Sequence, residues 1–170
     1  MRQSPVAVAV LAVFAVFGPT TAVHAQPAQR TPAPARQNPV FLPGFDDLMT
    51  MLVQPRHVKL YYAGTQKNWE LAAAQLRDLR SAFERIAAAI PSYQGNDVNA
   101  SVKSLIAPQM AMLEKAIAAA DRKKFALAYD NLTSACNACH TYMEHPFIVI
   151  RTPQSPQDVA YPDQDFKAAP

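Results

Sequence analysis

Between Phe41 and Pro146 the apolar residues recur every three or four positions, and no useful length of chain alternates with period two. A chain of this kind must bury its apolar stripes helix against helix. The pattern predicts four helices. The first covers about Asp46 to Ala63, where the acids of "PGFDD" suit a positive helix N-terminus and Gly64 offers a stop. Pro55 lies inside it and, lacking a backbone donor, should kink it. The second runs from about Asn68 to Ile90, with Trp69, Ala73, Leu76, Phe83, Ile86 and Ile90 in one stripe and Pro91 as its end. The third runs from about Val98 to Ala120, carries Val102, Leu105, Ile106, Leu113, Ala116 and Ile117 on one side, and should be kinked or split by Pro108. The fourth runs from about Arg122 to His145, with Asp121 as cap and Pro146 as end. Short connections make neighbours antiparallel, so the expected fold is all-α, an up-down-up-down four-helix bundle over residues 41–146. "FIVI", Phe147 to Ile150, is strand-like in composition, and the C-terminal tail 147–170 reads as extended.

The other end has a different composition. Arg2 precedes an unbroken apolar run from Val6 to Phe17, followed by "GPTTAVHA" with small residues at Val23 and Ala25. Residues 1–25 therefore read as a signal peptide cleaved after Ala25, with an apolar core short of a membrane span; a retained anchor is the alternative. Residues 26–40 read as a flexible leader rich in Pro and Ala. Without Arg2 the 16 Lys+Arg become 15, against 13 Asp+Glu, so no basic excess points to nucleic acid. The expected location is the periplasm.

Both cysteines of the chain stand three positions apart in "SACNACHTYM", with His140 directly after Cys139. An exported chain meets an oxidising compartment, but a bridge from Cys136 to Cys139 closes almost no loop and stabilises little. A redox C-x-x-C prefers a helix N-terminus in a βαβ setting, and this pair sits late in a helix. A structural zinc site needs four ligands, and the chain beyond residue 25 offers only His57, His140 and His145 besides these cysteines. C-x-x-C-H is the attachment sequence of c-type haem. Two thiols on one helical turn add to the two vinyl groups of one porphyrin, and the adjacent His lies beneath the iron. Phe125, Ala128, Tyr129, Leu132, Ala135, Cys136 and Cys139 form one stripe, so the motif should face inward. The reading is one covalently bound haem c held by Cys136, Cys139 and His140.

The stretch "AAADRKKFALAYDNLTSACNACH", Ala118 to His140, resembles the cytochrome c′ type of four-helix monohaem cytochromes. The resemblance is clear over the fourth helix, weaker over the first, and architectural elsewhere. It implies thioethers at Cys136 and Cys139 and a proximal iron ligand at His140. Two departures stand out. Glu144 occupies the place of the family's usual basic residue four positions after the ligand, and "FDDLMTML" replaces its usual Arg-Gln pair in the first helix.

Antiparallel neighbours bring the start of the first helix level with the end of the fourth. At about 1.5 Å per residue the motif faces roughly Met51 to Gln54. Met51 is the expected sixth ligand, His57 and Met49 are the alternatives, and an open site is the remaining one. Met51 shares a stripe with Leu48, Pro55, Val58 and Tyr62, and the family comparison also sets it on the distal side. His57 shares the other stripe with Met49, Val53 and Leu60. The expected function is electron transfer by Fe(III)/Fe(II) cycling, without enzymatic turnover, to a periplasmic or membrane-bound redox partner protein. A homodimer is compatible with the sequence. The second reading is a five-coordinate haem protein that binds nitric oxide or carbon monoxide. A haem enzyme ranks last for want of a distal acid–base pair.

Overall fold

The computed structural model describes residues 42–154, 160, 161, 164, 166 and 167. The expected signal peptide, residues 1–25, and the expected leader, residues 26–40, lie outside the described residues. The fold is all-α, with one short hairpin. The first helix spans residues 45–65 and is continuous: an α turn Phe45–Leu48, a π-helical segment Met49–Val53, then α-helix Gln54–Thr65. The second is Trp69–Ala89. A hairpin of Ser92–Tyr93 and Asn96–Asp97 follows. The third spans residues 98–118 as α turn Val98–Ser101, π-helical segment Val102–Ile106 and α-helix Ala107–Ala118. The fourth is Arg122–Tyr142. Consecutive helices pack together, and the fourth returns to the first.

Local chemistry sets these limits. Asn68 caps the second helix by accepting from the Leu71 N–H, and Asp121 caps the fourth by accepting from Lys123 and Lys124. Two of the C-terminal ends differ from expectation. Gly64 is not the stop of the first helix; the chain continues to Thr65 and reverses at Lys67, whose φ is +59°. The fourth helix ends at Tyr142 rather than His145, because Glu144 takes φ +64° and the His145 N–H donates back to the His140 carbonyl at 2.7 Å. Ala120 closes the third in the same way, with φ +50°.

Gly64 has another role. A Cβ there would collide with the ring of Phe125, which is itself buried at the start of the fourth helix. Glycine lets the two helices approach closely at this level. Gly64→Ala gains helix propensity of about 1 kcal/mol but drives a methyl into a rigid aromatic ring. The expected net loss is about 1–3 kcal/mol, read as a lower urea midpoint at unchanged slope.

The prolines neither break nor split their helices. Each follows a π-helical segment: Pro55 comes two residues after Val53, and Pro108 two after Ile106. In an α-helix a proline ring clashes with the carbonyl four residues back and leaves it without a donor. The wider turn passes the hydrogen bonding to the fifth residue instead: Gln54 N–H donates to the Met49 carbonyl and Ala107 N–H to the Val102 carbonyl. Arg56 adds a side-chain donor to the Leu52 carbonyl at 2.6 Å.

The solid part of the core lies towards Gly64. Leu60, Leu79, Leu113, Phe125, Tyr129 and Leu132 are all at most 1% exposed, each contributing on the order of 2 kcal/mol by burial. Towards the other end, where residues 45–57 meet residues 136–145, the interior is hollow.

Candidate haem-binding cleft

The first helix contributes Phe45, Met49, Val53 and His57 to the wall of this hollow, one every four residues. The third contributes Val98, Val102 and Ile106 at the same interval. An α-helix drifts at that spacing; a π turn, with more residues per turn, keeps every fourth residue in line. Both π-helical segments therefore face the same cavity, and their prolines keep them wide. Phe83 and Ile86 supply the floor from the second helix. From the fourth side come Cys136, Cys139, His140 and Met143, then His145, Ile148 and Ile150. The cavity measures about 150 Å³. Its rim carries the exposed Asp46, Thr50 and Gln54.

The end of the cleft is closed by Phe45 and Tyr93, which the sequence did not single out, together with Met143 and His145. The hairpin turns through Gln94 (φ +51°) and Gly95 (φ +77°), two left-handed positions in succession. It thereby sets Tyr93 flat against Phe45, ring centres 4.4 Å apart. His145 donates from Nδ1 to the Met143 carbonyl at 2.7 Å, so its Nε2 accepts from the Tyr93 hydroxyl at 3.2 Å. Both nitrogens of His145 thus serve structure. Met143 is buried against the same cavity, at 3% exposure.

Cys136 is buried and Cys139 half-buried, and both face the cleft, as the apolar stripe required. Burial pushes the Cys136 thiol up to about 12 and raises that of Cys139 in the same sense. Free thiolates are therefore disfavoured here, against a redox use of the pair. Among the described residues no group of three or more His, Cys, Asp or Glu converges to hold a metal ion. Thioethers are neutral and suit such walls.

His140 is half-buried at the cleft. Its Nδ1 donates to the Ile148 carbonyl at 2.8 Å. A carbonyl only accepts, so the proton of the neutral ring resides on Nδ1 and Nε2 keeps a lone pair. This is the arrangement that orients a metal-ligating imidazole.

The three candidates for the other side separate. Met51 is 58% exposed and does not line the cleft, because the wide turn puts Met49 and Val53 on the inner face instead. Met49 lines it. His57 lines it too but is enclosed at 3% exposure: Nε2 meets Thr133 Oγ1 at 3.1 Å and Nδ1 meets the Tyr129 hydroxyl at 2.9 Å. The Tyr129 hydroxyl also donates to the His57 carbonyl at 2.8 Å, and Thr133 to the Tyr129 carbonyl at 3.0 Å. With a neutral ring, three protons serve these four contacts. Burial nevertheless opposes a fourth, lowering the His57 pKa from 6.5 to about 4.

Tyr61 lies against Tyr129 and Trp69 against Phe125, both away from the cleft. Met110 is buried and Met112 is 44% exposed. Among the described residues no helix is long and apolar enough to cross a membrane. No protein-family model matches the sequence, and comparison with curated proteins and with solved structures finds no match.

Proposed function

We propose that the protein is an exported single-haem c-type cytochrome that carries electrons, its four helices forming an up-down-up-down bundle of the cytochrome c′ kind. One observation supports this above the others: the C-x-x-C-H run faces an apolar cleft with His140 in the tautomer that leaves Nε2 free. The residues present fit the group. Cys136 and Cys139 would hold haem c by thioethers and His140 would hold its iron, which would cycle between Fe(III) and Fe(II). The walls from Phe83, Ile86, Val98, Val102 and Ile106 are apolar, as the faces of a porphyrin require. The apolar segment in residues 1–25 supports export to the periplasm, where the partner is a redox protein, soluble or membrane-bound.

Met49 is the sixth ligand in this reading, since it alone of the three candidates both lines the cleft and keeps its donor atom uncommitted. The wild-type haem is expected to stay with the polypeptide through denaturation and acid-acetone extraction. The ferrous spectrum should be low-spin and unresponsive to carbon monoxide, and Met49→Ala should make it high-spin and gas-binding at once. Extraction of haem from the wild type sinks the cytochrome reading. The second reading, gas binding at a five-coordinate iron, is favoured by the engagement of both His57 nitrogens, which leaves the distal wall apolar apart from the Met49 sulfur. It takes precedence if the wild type already binds carbon monoxide and Met49→Ala changes nothing.

A further inference from the structure

The chain beyond the fourth helix turns back along it. The Ile148 carbonyl accepts from His140. Two residues on, the side-chain amide of Asn137 grips Ile150 twice, donating to its carbonyl at 2.8 Å and accepting from its N–H at 2.7 Å. Thr152 then donates to Asp130 at 2.6 Å. The tail residue numbers rise as those of the helix fall. Farther along, Phe166 is fully buried against Tyr62.

Phe147 and Val149 are 76% and 61% exposed and do not line the cleft, whereas Ile150 and the 38%-exposed Ile148 do. The paired hydrogen bonds of Asn137 to the N–H and carbonyl of Ile150 anchor the backbone two residues from the Ile148 carbonyl that His140 meets. Asn137 is itself one of the two intervening residues of C-x-x-C, so clamp and ligand share one helical turn.

We propose that the segment Ile148–Ile150, held by Asn137, is the positioning element of the proximal ligand: it fixes His140 in its Nδ1–H tautomer and, by drawing on that proton, makes the ring a stronger donor and holds the reduction potential of the haem low. The inference rests on the cytochrome reading. A hydrogen-bonded ring N–H raises the basicity of a ligating imidazole, which favours the oxidised metal.

Two full-length, haem-loaded variants test it. Asn137→Ala removes the clamp. Replacing Val149 by the α-hydroxy acid of the same side chain turns the Ile148 carbonyl into an ester carbonyl, a weaker acceptor; the Val149 N–H that is lost has no partner among the described residues. Both variants should keep haem through acid-acetone extraction. Both should show an upward shift in reduction potential and at least tenfold faster solvent exchange of the His140 ring proton by NMR. Helical content should be unchanged. Wild-type potential and exchange in both variants, with haem still attached, overturn the positioning role and leave the cytochrome reading standing. A response of the ester variant alone overturns the part assigned to Asn137. Loss of haem from the wild type on extraction overturns the cytochrome reading and this inference with it.

Discussion

The variant carrying both Cys136→Ala and Cys139→Ala is expected to release all of its haem on acid-acetone extraction. His140 alone would then hold the group, and acid protonates that imidazole. The effect is all-or-none because each thioether would be a covalent bond, and no other cysteine exists to replace them. The same variant prepared without haem should also be less stable. Its apolar cavity of about 150 Å³ is then unfilled, and a cavity of that size costs about 4 kcal/mol at roughly 24 cal/mol per Å³. A chain of this size should show a melting temperature lower by on the order of 10 °C. Haem that resists extraction from the double variant, or an apo-form with the melting temperature of the holo-form, contradicts the assignment of the cleft.

Acid should weaken the fold through His57. Its pKa is lowered from 6.5 to about 4 by burial, so the unfolded chain takes up a proton at a pH where the folded chain does not. Stability is full above pH 6.5, where His57 is neutral in both states. It falls as the pH drops from 6.5 towards 4, and no further loss arises from this group once both states are protonated. The expected loss across that window is about 3 kcal/mol, since one proton bound only by the unfolded chain costs about 1.4 kcal/mol per pH unit. His57→Gln should be less stable at pH 7, having lost at least one of the contacts to Tyr129 and Thr133, but should lack this part of the pH dependence. Urea unfolding of both proteins at pH 7 and pH 4 measures the difference. Equal falls in the two proteins rule His57 out as the source.

The sequence carried the parts of the site that depend on side-chain type. The stripe from Phe125 to Cys139 put the motif on the inner face of the fourth helix, and both cysteines face the cleft. Asp121 was legible as a cap because an Asp oxygen has a specific use at that position. The face that the first helix turns to the cleft was not legible. Pro55 signalled a disturbance, but a missing donor is compatible with a kink, a break or a wider turn. The choice among them changes which residues face inward, and so exchanges Met51 for Met49. Gly64 misled for a related reason: glycine serves both a reversal and a close approach, and here Phe125 demands the second. The support of His140 was hidden altogether. It comes from backbone carbonyls of Ile148 and Ile150, a group that every residue carries, and Asn137 stands where the motif allows any residue.

The two wide turns each take up one residue without turning the wall on either side. Deleting one residue between Met49 and Val53 would return that stretch to ordinary α-helix. Phe45 and His57 would then stand eleven steps apart, and eleven steps of about 100° come within about 20° of three full turns. Phe45 would stay on the side of Tyr93 and Asp46 on that of the rim. The change would be local: the ring of Pro55 would meet an ordinary turn, whose carbonyl four residues back it crowds. The same holds for Val98 and Pro108 if the third helix lost one residue between Val102 and Ile106. A change of length inside a wide turn is thus confined to that turn, whereas one in the α-helical stretch beyond it would re-index the wall.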